Sequence, residues 1–192
     1  HNNYSKELDD LETVIDWITN NSDFEDEIKV EDVSLIGHSR GGAISILKAN
    51  EDNRVAKVVS WAAPSDFTNR MEQSKLDTWK EKGVAYVFNS RTKQNMPLYY
   101  QFYLDCINNS ERIDIKRAAS KLNKPLLIVH GTDDPTVLIT DAYDFISCNK
   151  NTVLHEIKDA NHVFGVMHPY NLDNYPNSFQ EAIDVSLKFL KT

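Results

Sequence analysis

The sequence has few cysteines and no long hydrophobic run. Cys106 and Cys148 are its only cysteines, and two residues so far apart are too few for a disulfide framework or a zinc site. The chain also has no run of 18 or more apolar residues, the length that a membrane-spanning helix needs. These absences predict a single domain over residues 1–192 that folds in water without a metal or other cofactor. They suit a reducing compartment such as the cytoplasm.

Positive charge is also scarce. The chain carries 21 Lys and Arg residues against 29 Asp and Glu residues, for a formal net charge of -8. A negative protein is repelled by phosphate backbones and by anionic lipid surfaces, so the composition argues against binding to nucleic acid or to membranes. A small organic molecule is the partner that this charge balance favours.

The hydrophobic pattern predicts alternating helices and strands. Apolar residues at three- and four-residue spacing predict a helix over 4–20, and further helices are expected at 43–49, 139–147 and 178–190. Short apolar runs predict strands, listed in chain order as Val33–Ile36, Val55–Ala62, Pro125–Val129 and Val153–Ile157. Strands that alternate with helices indicate the α/β class, with a mostly parallel sheet and helices on both of its faces.

Residues 67–118 do not fit a simple crossover between two strands. They hold eight of the nineteen aromatic residues: Phe67, Trp79, Tyr86, Phe88, Tyr99, Tyr100, Phe102 and Tyr103. We interpret the segment as a small, mostly helical cap over the carboxyl edge of the sheet, where open α/β sheets bind ligands. The aromatics either line a substrate site there or form the core of the cap itself.

The strongest chemical motif is Gly37-His38-Ser39-Arg40-Gly41, at the end of an apolar strand and the start of a helix. A serine hydroxyl is a poor nucleophile until it is exposed and aimed, and a tight strand-to-helix turn exposes it. Gly37 and Gly41 would let the backbone close without a clash. The backbone N–H of Arg40 would point toward the substrate oxygen that becomes negative, so Arg40 is a candidate substrate-binding residue. Otherwise Ser39 simply caps the helix.

At this motif the chain resembles the α/β-hydrolase family, in which nucleophile, acid and base follow in that order. The run His130-Gly131-Thr132-Asp133-Asp134-Pro135-Thr136-Val137 is similar to the family's acid loop, where an aspartate lies three residues before a valine. The resemblance selects Asp134 as the acid. Asp133 is the alternative, and Asp66, after the second strand, is a third choice because some family members place the acid there.

The run Asp159-Ala160-Asn161-His162-Val163-Phe164-Gly165 is similar to the family's histidine loop. The resemblance makes His162 the base that accepts the serine proton, and Asp134 would hold its other ring nitrogen. His168 is the alternative base if the loop folds differently. His155 and His130 are expected to be structural, and His38 is expected to orient the turn or to line its flank.

The resemblance implies a serine hydrolase of the dienelactone-hydrolase, acyl-peptidase and feruloyl-esterase group. Such an enzyme would cleave a carboxylic ester through an acyl-enzyme intermediate with Ser39, His162 and Asp134. A peptidase or a thioesterase would need the same triad. A non-catalytic member of the fold that only binds a ligand is the competing class.

The beginning of the chain lacks part of the family pattern. The sequence starts at His1 rather than Met, and residues 1–30 contain nothing that could be the upstream strand and loop that supply the family's second oxyanion N–H. We therefore expect an N-terminally truncated version of the fold, with the strand Val33–Ile36 left at an open edge. Folded proteins normally cover such an edge. The edge predicts either a homo-oligomer or a longer polypeptide whose upstream strands pair with it.

Overall fold

The computed structural model describes residues 2–20, 32–67, 75–89, 92–171 and 173–192. The helices in these ranges are α1 (Tyr4–Asn20), α2 (Arg40–Glu51), α3 (Leu76–Lys82), α4 (Gln101–Asn108), α5 (Ile115–Lys121), α6 (Ile139–Cys148) and α7 (Asn177–Lys191). The strands are β1 (Val33–His38), β2 (Val55–Trp61), β3 (Val84–Asn89), β4 (Gln94–Tyr99), β5 (Leu126–Gly131) and β6 (Val153–Ile157). Of the helices in these ranges, none combines the length and hydrophobicity that crossing a bilayer requires.

The main sheet is parallel and its strand order is β1-β2-β5-β6. Strands β2 and β5 are central. Every residue of β5 and four of the seven residues of β2 are buried, which explains why both strands are rich in apolar residues. Alternate residues of β2 and β5 belong to two separate cores. Val58 and Ile128 pack with residues of α1, α2 and α6, whereas Val59 and Val129 pack with Ala182 of α7. The predicted α/β class, with a parallel sheet and helices on both faces, is confirmed.

The segment 67–118 contains α3, α4 and the start of α5, and it also contains an antiparallel pair that the mostly helical prediction did not include. Gly83 ends α3 in the left-handed conformation at φ 69°, and the β-branched and aromatic residues of β3 then favour an extended chain. Trp79 anchors the pair by donating from Nε1 to the carbonyl of Leu98 at 2.8 Å. Helix α5 packs against α2 and α6, so the end of the segment is a crossover helix. Residues 68–74 and 90–91 lie outside the described residues.

Strand β1 lies at one edge of the described sheet. Its exposure alternates along the strand, and the side chain of Ile36 is 53% exposed. An apolar residue on an unpaired edge is a feature that proteins usually cover. Covering of this edge by a second copy of the chain, or by other residues of a longer polypeptide, stays a prediction.

A charged side chain lies in the core between α1 and α2. The Lys48 side chain is fully buried, and its Nζ lies 2.5 Å from Glu51 Oε1 and 3.3 Å from Glu12 Oε2. Partial burial raises the pKa of Glu51, but hydrogen bonds from Arg112 and Lys48 outweigh that effect and lower the pKa overall. The buried ammonium therefore depends on Glu51 staying ionised.

Replacing Glu51 with glutamine is expected to lower the free energy of unfolding by about 2 kcal/mol at neutral pH, less than for a fully buried pair because Glu51 is partly exposed. The folded pKa of Glu51 lies below its unfolded value, so this stabilisation exists above the unfolded pKa and is lost as the pH falls through the folded one. Urea unfolding should show the difference at pH 7 and a smaller one in acid.

Lys48→Met is the matched control, because it removes the buried charge together with its need for a partner. We expect it to cost less than Glu51→Gln. A Glu51→Gln protein as stable as the wild type at pH 7 would contradict the role given to this ion pair.

Candidate active site

Ser39 lies in a sharp turn between β1 and α2. Its backbone has φ 55° and ψ -124°, outside the conformations that residues other than glycine usually adopt. Such a residue costs about 1–3 kcal/mol and persists only where its surroundings fix it. Here the Ser39 N–H donates to the carbonyl of Trp61 at 2.7 Å, and the Ser39 carbonyl accepts from the N–H groups of Gly42 and Ala43 at 3.0 and 3.3 Å. The turn is therefore held from both sides, with the side chain of Ser39 at its tip.

Two glycines, Gly37 and Gly42, allow this turn to close. A Cβ added at Gly37 would lie 2.2 Å from the carbonyl oxygen of Gly41, and one added at Gly42 would lie 2.5 Å from Oγ of Ser60. A Cβ at Gly41 would meet nothing within 4 Å. The sequence pattern assigned the closure to Gly37 and Gly41, so the structure corrects the second of these to Gly42.

Gly37→Ala and Gly41→Ala are therefore a matched pair with opposite expected outcomes. We expect Gly37→Ala to destabilise the fold by about 3 kcal/mol or more, because the added carbon meets backbone atoms that cannot move aside. Gly41→Ala should be neutral or stabilising by up to about 1 kcal/mol, because alanine is the better helix former. Urea unfolding of the two variants gives the comparison, and equal stabilities would contradict the assignment.

Asp134 lies on the loop that follows β5, and it is 3% exposed. Its Oδ1 accepts hydrogen bonds from the backbone N–H groups of Thr136 and Val137 at 2.8 and 2.9 Å. A buried carboxylate needs such donors, since an unpaired charge in the core would be very costly. The local turn thus fixes the orientation of the carboxyl group. It occupies Oδ1 and leaves Oδ2 for another partner.

The loop after β6 carries His162 and packs directly on the acid loop. A Cβ at Gly131 would lie 2.2 Å from the carbonyl oxygen of Ala160, and this same oxygen accepts from the N–H of Asp133 at 3.0 Å. Asn161 shapes the loop, because its Oδ1 accepts from the N–H groups of Val163 and Gly165 at 3.2 and 3.0 Å. Nothing in the sequence marked Asn161, although a side chain that binds the backbone two residues ahead is typical of Asn in turns.

The structure brings Ser39, His162 and Asp134 into one hydrogen-bonded chain. The Nε2 of His162 lies 3.0 Å from Oγ of Ser39, and its Nδ1 lies 2.7 Å from Oδ2 of Asp134. The His162 side chain is 15% exposed and that of Asp134 is fully buried. Because a carboxylate only accepts, Nδ1 carries the proton and Nε2 is free to accept one from the serine hydroxyl.

The alternative acids lie elsewhere. Among the described residues, the side chain of Asp133 accepts only a long 3.4 Å contact from Thr132 Oγ1, and its backbone N–H ties the acid loop to Ala160. Asp66 lies beside Lys116, whose pKa is raised first by its hydrogen bond to Asp144 and then by the charges of Asp144 and Asp66. The hydrogen bonds described for the His162 ring run to Asp134 and Ser39.

The other histidines have separate surroundings. His168 is exposed on the loop before Pro169, and His155 on β6 pairs with Glu181 of α7 at 2.8 Å. His130 is fully buried, and its Nε2 donates to the carbonyl of Val137 at 2.9 Å, so it supports the acid loop. In the described part of the chain, no group of three or more His, Cys, Asp or Glu side chains is arranged to hold a metal ion.

Arg40 is the first residue of α2, where backbone N–H groups have no acceptor within the helix. Its side chain is directed toward α1. Nη1 lies 3.6 Å from Oε1 of Glu7, and the guanidinium carbon lies 6.0 Å from the centre of the Tyr4 ring. Any substrate contact from Arg40 would therefore come from its backbone rather than from its charge.

Comparison with known proteins gives consistent results. Residues 1–166 match the family model described as alpha/beta hydrolase fold. Among curated proteins, a monoglyceride lipase homolog of Monkeypox virus is 24% identical over 147 residues, which are 65% of this chain and 53% of that protein. The chain thus spans about half the length of this relative.

Solved structures share the fold across nearly the whole chain. A monoacylglycerol lipase of Paleococcus ferrophilus superposes with a TM-score of 0.69 at 14% identity, covering 100% of this chain and 76% of that one. Est1E of Butyrivibrio proteoclasticus, in a structure with ferulic acid bound, gives 0.70 at 18% identity, covering 100% and 70%. The family match and the shared architecture show that this chain belongs to the α/β-hydrolase family.

Proposed function

We propose that the protein is a serine hydrolase that cleaves a carboxylic ester through an acyl-enzyme intermediate. The observation that carries the proposal is the continuous chain from Ser39 Oγ through the His162 ring to the buried Asp134 carboxylate, with contacts of 3.0 and 2.7 Å. A nucleophile, a base within hydrogen-bond reach and a third group that orients the base are the arrangement that this chemistry needs.

In the first half of the reaction, Ser39 Oγ attacks the ester carbonyl carbon while its proton passes to Nε2 of His162. The carbonyl oxygen becomes negative, and the Arg40 N–H at the start of α2 donates to it. The intermediate then collapses: the bond to the alkoxy oxygen breaks, and His162 returns the proton to the leaving alcohol. Asp134 stays ionised and stabilises the imidazolium that forms in between.

In the second half, water repeats the same steps on the acyl-serine. His162 takes one proton from the water as its oxygen attacks, and it gives this proton back to Ser39 Oγ as the acyl group leaves as an acid. Each cycle therefore consumes one ester and one water, releases one alcohol and one acid, and needs no cofactor.

The aromatic side chains nearest the turn belong to the core and not to an open surface. The Tyr4 ring beside Arg40 stacks on Phe67 at 3.7 Å and lies 4.6 Å from the Phe102 ring, and all three side chains are buried. They tie the segment 67–118 to α1, and we assign this segment the role of a cap on a single domain. Both cysteines are free thiols, in keeping with a cytoplasmic location, which stays a prediction.

A fluorophosphonate probe tests this proposal, because it reacts with an activated serine and forms a stable adduct. We expect one adduct per chain on the peptide that contains Ser39, and none after heat denaturation. Ester, thioester and anilide substrates that share one acyl group would then separate an esterase from a thioesterase or a peptidase. A folded protein that takes no adduct and hydrolyses none of the three would instead be a non-catalytic binding member of the fold.

A further inference from the structure

His38 makes a hydrogen bond that joins the nucleophile's strand to the loop of the base. Its Nε2 lies 2.8 Å from the backbone carbonyl oxygen of His162. A carbonyl oxygen only accepts, so Nε2 of His38 carries the proton and donates it. The two residues are 124 positions apart in the sequence, and this bond acts on the main chain of the base rather than on its ring.

This bond matters because the strands that lead to Ser39 and to His162 lie at opposite edges of the described sheet. Ser39 follows β1 at one edge of the main sheet and His162 follows β6 at the other, with β2 and β5 between them. Neighbouring strands are spaced by about 4.8 Å, so these two strand ends are about 14 Å apart. The base loop must therefore reach back across the end of the sheet to bring His162 within 3.0 Å of Ser39. Asp134 holds only the ring of His162, and His38 holds its backbone.

The packing of ring side chains also places His38 against the loop that carries His162. The His38 ring lies 4.8 Å from the His162 ring, and its edge faces Phe164 at 6.4 Å. Phe164 is 1% exposed and contacts Trp61 of β2 at 5.6 Å. Since His38 is the residue paired with Trp61 in the sheet register, the end of β1 and the base loop share one packed unit.

We propose that His38 is a positioning residue, whose ring N–H holds the backbone of His162 so that the base stays within reach of the Ser39 hydroxyl. The inference rests on the proposed serine hydrolase function. It goes beyond the triad, because the hydrogen bond of His38 is to the backbone carbonyl of His162 and not to the ring nitrogens that bind Ser39 and Asp134.

His38→Leu and His38→Gln test the inference as a pair. Leucine removes the donor, whereas the side-chain amide of glutamine can present an N–H near the position of Nε2. We expect His38→Leu to lower kcat for an ester about 10- to 100-fold, because a small misplacement of the base is costly, with KM changed less than about twofold. His38→Gln should recover most of kcat. His155→Leu, which removes a strand histidine at the far edge of the sheet, should leave kcat unchanged.

A double-mutant cycle shows whether His38 acts through the base. In the His162→Ala protein, adding His38→Leu should change the residual rate little, because the group that His38 positions is gone. An equal loss in both backgrounds would mean that His38 acts on Ser39 instead, and it would overturn the inference. Equal kcat in His38→Leu and wild type, or equal losses in the leucine and glutamine variants, would also overturn it.

A readout without turnover separates this inference from the proposed function. The Nδ1 proton that His162 shares with Asp134 should give a far-downfield NMR signal that disappears in His162→Ala. We expect His38→Gln to keep this signal and His38→Leu to lose or broaden it, whether or not the wild type hydrolyses esters. An unchanged signal in His38→Leu overturns the positioning role, whereas an inert wild type with the expected signals overturns only the proposed function.

Discussion

Replacing Ser39 with alanine is expected to lower kcat for ester hydrolysis by about 10⁶-fold, because no other group can take the place of the attacking oxygen and only the residual rate supported by the rest of the site remains. The removed Oγ lies 3.0 Å from Nε2 of His162, so the variant also loses the hydrogen bond that aims the base. The measurement is the hydrolysis rate of an activated ester at saturating concentration, together with fluorophosphonate labelling. The labelling should disappear, and the rate should fall to this residual level.

Ser45→Ala is the matched control for this experiment. Ser45 lies six residues further along, within α2, and its Oγ donates to the carbonyl of Gly41 at 2.8 Å rather than to His162. Its loss should cost about 1 kcal/mol of stability and leave kcat near the wild-type value. A kcat of Ser39→Ala within about tenfold of the wild-type value would remove Ser39 from the mechanism.

The three residues should also behave as one unit. Adding His162→Ala to Ser39→Ala is expected to cause little further loss, because each substitution alone already stops the transfer of the serine proton. Losses that multiply in the double variant would indicate that His162 contributes to hydrolysis independently of Ser39.

The parts of the fold that sequence reasoning anticipated are those with strong local signals. The mostly apolar sequences of β2 and β5 indicate buried strands, and the glycines on either side of Ser39 indicate the turn. The predicted start of α7 was less accurate. The sequence predicts a helix over 178–190, whereas α7 begins at Asn177, directly after Pro176, and no side chain caps it. Proline is favourable at the start of a helix, because its missing N–H is not needed there.

Features that depend on tertiary contacts were not predictable. The pair β3–β4 is mostly exposed, so its residues do not show the alternation that usually reveals a strand. The need for glycine at position 42 arises from Ser60 on the neighbouring strand, which no local pattern can indicate. The same holds for His38, whose partner is 124 residues away.

Asp134→Asn is expected to lower kcat/KM about 10⁴-fold with little change in the fold. Oδ1 of Asp134 accepts two backbone N–H groups, so the amide oxygen of an asparagine must occupy that position and its NH₂ group must face His162. Nδ1 of His162 would then have to accept rather than donate, which places the ring proton on Nε2. In that tautomer the base can no longer take the proton of Ser39.

Asp133→Asn provides the control at the adjacent position, since the one hydrogen bond of the Asp133 side chain to a described residue is the long contact with Thr132. Its activity should remain within about threefold of wild type, as for most exposed substitutions. The comparison of kcat/KM between the two variants decides the assignment of the acid, because they carry the same chemical change one residue apart. A large loss in Asp133→Asn with full activity in Asp134→Asn would reverse the assignment. Full activity in both would direct attention to Asp66, the remaining carboxylate that the family pattern allows.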